Sequence, residues 1–195
     1  MPEAFQPIVD AAKYMRDFSR PWFISGGWAI DLFLGTVTRE HSDIEIGIYR
    51  CDQHLLRDQF LGWSFEKAVQ RDGEGTWVPW ETGEALELPI HQIRVTKADA
   101  ALPEFELFLN ERSETHWWSR RHAELKRPLA EVVMTGAMGL PALAPEIQLL
   151  FKAKYTRPKD QADFDLAVPR MTKSQRDWLD GALREYHPGH PWIAD

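Results

Sequence analysis

Residues 24–50, ISGGWAIDLFLGTVTREHSDIEIGIYR, carry the reading on which the fold turns. A Gly-Gly pair, Gly26-Gly27, closes the short apolar run Trp22-Phe23-Ile24-Ser25, which predicts a buried strand ending at the glycines. Trp28 to Leu34 predicts a short helix that Gly35 terminates. Ile44, Ile46 and Ile48 then alternate with Asp43, Glu45, Gly47 and Tyr49, the period of two of a half-buried strand. A glycine turn running from a strand into a helix aims backbone N–H groups outward at the positive end of the helix dipole. Glycine lets a phosphate approach them closely. Ser25 adds a hydroxyl donor. Asp43 and Glu45 are two apart, so both carboxylates share one strand face, about 7 Å apart, while the isoleucines fill the core. Hard oxygens so placed suit Mg²⁺. Two such ions about 3.5–4 Å apart can stabilise both the attacking and the leaving oxygen in displacement at phosphorus.

Outward from this stretch, residues 3–18 show helical spacing of Phe5, Ile8, Val9, Ala12 and Met15, stopped by Pro21. Residues 53–61 predict a helix. Residues 62–103 predict strands broken by Gly and Pro turns, and Glu104 to Leu109 a further strand. Glu104 and Glu106 share one of its faces, and either can supply a third carboxylate. Pro141 and Pro145 bracket a change of composition, after which residues 146–155, 159–168 and 173–186 all read as helices, followed by an irregular tail. The expected organisation is a mixed α/β part over 1–138 and a helical part over 139–195.

The 195 residues suffice for one domain with a substantial core. With 44% hydrophobic and 27% charged residues the chain is of the soluble globular class. No apolar run reaches the roughly 18 residues of a membrane span, and no secretory pattern opens the chain. A single cysteine, Cys51, excludes an internal disulfide, has no activating pattern beside it, and fits a cytoplasmic setting. The net charge of −7 opposes polyanions and suits a cationic small molecule; residues 152–159, KAKYTRPK, are the one decent basic stretch.

The run GGWAIDLFLGTVTREHSDIEI resembles the DNA polymerase beta-like nucleotidyltransferase superfamily, and within it the aminoglycoside and lincosamide nucleotidyltransferase branch. The matching positions are Gly26-Gly27-Trp28-Ala29-Ile30-Asp31, Gly35, Thr38-Arg39 and Asp43-Ile44-Glu45. Residues 143–164 are similar to the C-terminal helical segment of related proteins. The resemblance implies a nucleotidyltransferase fold: a small mixed sheet flanked by helices, plus a C-terminal helical part. It implies two Mg²⁺ ions at Asp43, Glu45 and Glu106, and the triphosphate of ATP or another nucleotide at Ser25, Gly26 and Gly27. Glu106 would also be the base for an acceptor hydroxyl. Two departures stand out: Glu45 replaces the branch's usual second Asp, and the third position has no clear Asp. Resemblance points to Lys152 as the phosphate lysine, whereas periodicity points to Lys154, which continues the stripe of Ile147, Leu150 and Phe151 inward. Arg39 can meet phosphate or form a structural salt bridge. Lys159, Asp160 and Asp163 read as a solvated helix face or local ion pairs, and His116-Trp117-Trp118 as buried strand aromatics. His187 and His190 read as tail; His41 has a weaker claim on the site. The implied acceptor is a small-molecule hydroxyl, such as that of an aminoglycoside- or lincosamide-like antibiotic, with tRNA, a protein or a non-catalytic binding role as alternatives.

Overall fold

A computed structural model describes residues 3–71 and 74–194. Its frame is a mixed ten-stranded sheet. The first helix, α1 (Gln6–Tyr14), buries Ile8 and Ala11 on one face. Strand β1 (Trp22–Ile24) leads directly into α2 (Gly26–Leu34), and Gly35 ends that helix in the left-handed conformation at φ 76°. The helix begins two residues earlier than expected, because the two glycines themselves form its first turn. Strand β2 (Glu45–Tyr49) follows, with Ile46 and Ile48 fully buried. It lies antiparallel to β1, with Ile24 opposite Ile46. Asp43 falls just before this strand instead of inside it, its carbonyl held by the Trp28 indole at 3.2 Å.

Past β2 the chain departs from the helix expected over 53–61. A 3₁₀ segment, Arg50–Leu55, occupies most of it, and α3 (Leu56–Gln59) is a single turn. Strands β3 (Ser64–Arg71), β4 (Glu74–Pro79) and β5 (Gln92–Thr96) form an antiparallel wing. Strand β6 (Glu104–Arg112) joins that wing to the centre: it pairs antiparallel with β5 and parallel with β2. Its far end carries the hairpin of β7 (His116–Ser119) and β8 (His122–Pro128), where Trp117 is buried as a strand aromatic.

Strands β9 (Val133–Thr135) and β10 (Pro141–Leu143) complete the sheet, with β10 parallel to β1 through Ile24 and Ala142. Residues 141–143, on the helical side of the expected division at 138, are thus a strand of the main sheet. The helical run begins at Pro145. Helices α4 (Pro145–Ala153) and α5 (Pro158–Ala167) pack on α2, and α6 (Lys173–Tyr186) packs on α4; Ile30 of α2 joins a second core with Leu149, Leu150, Leu179 and Leu183. The tail is irregular yet docked: Trp192 is buried and stacks on Phe164 at 4.3 Å. Among the described residues no helix is long and apolar enough to cross a membrane.

Candidate active site

Ser25 is extended and buried, and its hydroxyl has no hydrogen-bond partner among the described residues. Gly26 sits at φ 69°, and a side-chain carbon there would collide with the Glu45 carboxylate; one on Gly27 would collide with Arg39 and His41. Glycine is therefore a steric requirement at both positions. The Gly26 N–H is already committed, donating to Gln148 Oε1 at 2.8 Å from 122 residues further along the chain. The donors left at this end are the Ser25 hydroxyl and the Gly27 N–H, whose first-turn position gives it no partner within the helix.

Two of the three acids sit side by side on adjacent strands, and Asp43 precedes the first of them. The parallel register of β2 and β6 sets Glu106 directly beside Glu45, while Glu104 lies exposed at the strand's end, opposite Thr96 of β5. Burial, reinforced by Asp43 and Glu106, pushes the Glu45 carboxyl up to about 7. Burial likewise raises Glu106, against the opposing hydrogen bond from Gln92 Nε2 at 2.6 Å. The acids thus form a patch short of positive charge. Among the described residues no three His, Cys, Asp or Glu side chains, the expected set of Asp43, Glu45 and Glu106 included, are placed to hold one metal ion together, and Glu106 lies outside the lining of the adjoining cavity. Mg²⁺ does not require a cage, since it is held through one or two carboxylates together with substrate phosphates. The carboxylate donors and their unbalanced charge fit that ion.

The charge shortage has a measurable consequence. A carboxyl raised in the folded state binds more protons than when unfolded, so folding stability falls as pH rises from about 4.5 to about 7. Glu45→Gln removes this cost. Without metal at pH 8 the variant is expected to melt above the parent, and added Mg²⁺ should erase the difference by stabilising the parent alone. Equal melting temperatures in metal-free buffer would contradict it.

Opposite the acids stands a buried ionic cluster. Lys152 Nζ lies 2.8 Å from Asp160 Oδ1 and 2.9 Å from Asp163 Oδ2, with all three side chains almost fully buried. Arg39 grips Asp163 at 3.1 and 3.2 Å, and Arg157 meets Asp160 at 2.7 Å. Asp160 and Asp163 are therefore a buried pair of anchors and not a solvated face. Arg39 makes a salt bridge while still lining the cavity. Lys154 does not point inward: α4 ends at Ala153, so the stripe has nothing left to pack against. Its ammonium rests exposed over the Tyr155 ring at 5.0 Å.

His41 is structural. It stacks on Trp28 at 4.2 Å and meets the buried Asp31 at 2.6 Å, and Asp31 also takes the Thr38 N–H and hydroxyl. Asp31, for which the sequence offered no role, thereby ties down the loop between α2 and β2. His187 and His190 stand at the end of α6 and in the docked tail, with ring centres 6.2 Å apart.

Between acids and cations lies a cavity of about 350 Å³ that includes Ser25, Gly26, Gly27, Asp43, Glu45 and Lys152. Sequence reasoning missed part of its wall: Gln148, Arg157, Phe151 and the turn residues Arg120 and Arg121. Phe108 and Asn110 also line it, and the period of two from Glu106 could have found them. A larger hollow of about 530 Å³, around Arg50, Cys51, Arg57 and Trp80, shares no residue with it.

A donor-bearing glycine turn facing strand carboxylates across a cavity, on a mixed sheet of this topology, defines a nucleotidyltransferase. Residues 8–166 match the family described as aminoglycoside-2''-adenylyltransferase, and the chain belongs to that family. Among solved structures it is similar to lincomycin-bound LnuA, a lincosamide antibiotic adenylyltransferase. The TM-score there is 0.57 at 13% identity, over 85% of this chain and 97% of that one. It is also similar to the antibiotic-resistance factor ANT(2'')-Ia. In complex with adenylyl-2''-tobramycin that protein gives a TM-score of 0.52 at 15% identity, over 92% of this chain and 96% of the other. Its solution structure gives 0.52 at 17%, over 93% and 91%. At such identities the structural likeness speaks for the fold alone. A search of curated protein sequences finds no match.

Proposed function

We propose that the protein transfers the adenylyl group of ATP to a hydroxyl of a small molecule, in the manner of relatives that adenylylate antibiotics. The observation that carries this is the shared cavity, where Ser25 and Gly27 face Asp43 and Glu45 on one side and Lys152 and Arg157 on the other. The Ser25 hydroxyl and the Gly27 N–H bind phosphate oxygens at the positive end of α2. Asp43 and Glu45, with Glu106 beside them, would hold the divalent ions. Bound there, those ions would neutralise charge on the phosphoryl oxygens and on the departing pyrophosphate. Glu106, kept basic by burial, takes the acceptor's proton. The acceptor oxygen bonds to the α-phosphorus in line as the bond to the bridging oxygen breaks, and pyrophosphate leaves. Catalysis rests on positioning and on charge already in place.

A macromolecular acceptor finds less support. In the basic stretch 152–159, Lys152 and Arg157 are consumed by Asp160 and Asp163. The test is incubation with labelled ATP, Mg²⁺ and a panel of hydroxylated small molecules, including lincomycin and tobramycin, beside tRNA and proteins. Label is expected on a small molecule, with stoichiometric pyrophosphate. Label on tRNA or protein would replace this reading, and absence of Mg²⁺-dependent ATP binding would end it.

A further inference from the structure

The acceptor half of the cavity has its own charge, opposite to the one a polycationic acceptor needs. Along β6, Glu106, Phe108 and Asn110 share one face, and the last two line the cavity beyond the acids. Past them the β7–β8 hairpin turns on Arg120 and Arg121, between the paired Ser119 and His122. The Arg120 guanidinium lies 4.6 Å over the Phe151 ring. Arg121 serves partly as a strut, donating to the Phe151 carbonyl at 3.1 Å. Arg120, half-buried, makes no hydrogen bond or ion pair among the described residues. Of the acids whose charge reaches it, Glu111 is taken by Arg50 at 2.7 Å, while Glu45 lines the same cavity without an ion pair to it. Burial, with the charge of Arg121, pulls the Arg120 guanidinium down to about 10. Burial and the same field depress His91, whose ring centre lies 6.3 Å from that of Phe108, to about 4.

A guanidinium fork with no hydrogen-bonded partner at a cavity wall matches a carboxylate or phosphate in two parallel hydrogen bonds. A polycation placed there meets like charge, which costs affinity. Resting on the transferase reading above, we propose that the acceptor is a hydroxyl compound bearing an anionic group, seated on Arg120 with its apolar body against Phe108 and Phe151, and not a polycation. The nucleotide occupies the other half, between Gly27 and Lys152.

The test uses a pair of probes that differ only in charge, 4-(hydroxymethyl)benzoate and its carboxamide, with tobramycin as the polycation. Each is titrated calorimetrically into protein saturated with Mg²⁺ and a non-hydrolysable ATP analogue. The benzoate is expected to bind about tenfold more tightly than the carboxamide, the scale of one charge-assisted hydrogen bond, and tobramycin most weakly. Arg120→Gln should abolish that preference and Arg120→Lys retain part of it, with affinity for the analogue unchanged in both. Equal binding of the two aromatic probes, or tightest binding of tobramycin, overturns the proposal. So does an Arg120→Gln variant that weakens the analogue and leaves the probe preference intact. Failure of the parent to bind the analogue in a Mg²⁺-dependent way sinks the transferase reading instead. The same probe comparison on the protein alone then still decides the anion preference.

Discussion

Asp43→Asn is expected to lower kcat/KM for adenylyl transfer about a thousandfold without lowering the melting temperature. Losing several kcal/mol of transition-state charge neutralisation, at about 1.4 kcal/mol per factor of ten, gives that magnitude. The stability half follows from the acids' mutual repulsion. Asp43 is exposed and helps to raise the Glu45 carboxyl, so neutralising it relieves a cost borne by the metal-free fold. The Asn side chain is nearly isosteric, and the Trp28 indole bonds the backbone carbonyl at this position, which the substitution leaves in place. Activity and stability should therefore move in opposite directions in metal-free protein. Full retained activity would remove Asp43 from the reaction. A large drop in melting temperature would show that its carboxylate holds the loop.

What was legible in the sequence is what is local in the chain. The glycine turn, α2 and the acidic approach to β2 lie within residues 24–50, and period-two alternation is enough to turn Asp43 and Glu45 away from the isoleucines. The same alternation picks out Glu106 and Glu104, but only the parallel register of β2 with β6 brings one of them to Glu45. Contacts between distant segments were invisible. Gln148 reaches Gly26 from α4, and nothing in a polar residue on that helix announces a backbone donor 122 residues away. Pattern reading also equates charge with water, and here that equation fails. Helix α5 lacks a marked apolar stripe because its inward face carries Asp160 and Asp163, so it reads as solvated although both carboxylates are about 1% exposed. Arg120 and Arg121, which line the cavity from a hairpin turn, carry no pattern that separates them from surface arginines. In the tail, prolines predict irregular chain correctly but say nothing of Trp192 docking on Phe164.

Lys152→Met is expected to cost about 3–5 kcal/mol of folding stability near neutral pH, because it leaves two buried carboxylates short of a partner. For a chain of this size that corresponds to a fall in melting temperature of roughly 10 °C. Methionine has the length to fill the space, so the loss reports charge and not a cavity. Burial by itself pushes the Asp160 carboxyl up, but the hydrogen bonds from Arg157 and Lys152 prevail and hold it well below the usual carboxylate range. A depressed folded-state value means stability that is fully present above the unfolded value of 3.8 and is lost as pH falls below it. The variant forfeits part of that gain, so its deficit should be greatest at neutral pH and should narrow in acid. Lys152→Met combined with Asp160→Asn should recover much of the loss, since the double variant removes an unpaired charge along with its partner. The outcome also separates two roles for the lysine. Held by two acids, Lys152 has its charge largely balanced, so it orders α5 and Arg157 at the cavity mouth more than it supplies free positive charge to a triphosphate. Unchanged melting with a large loss of ATP affinity would reverse that assignment and make Lys152 a phosphate ligand that leaves Asp160 and Asp163 when nucleotide binds.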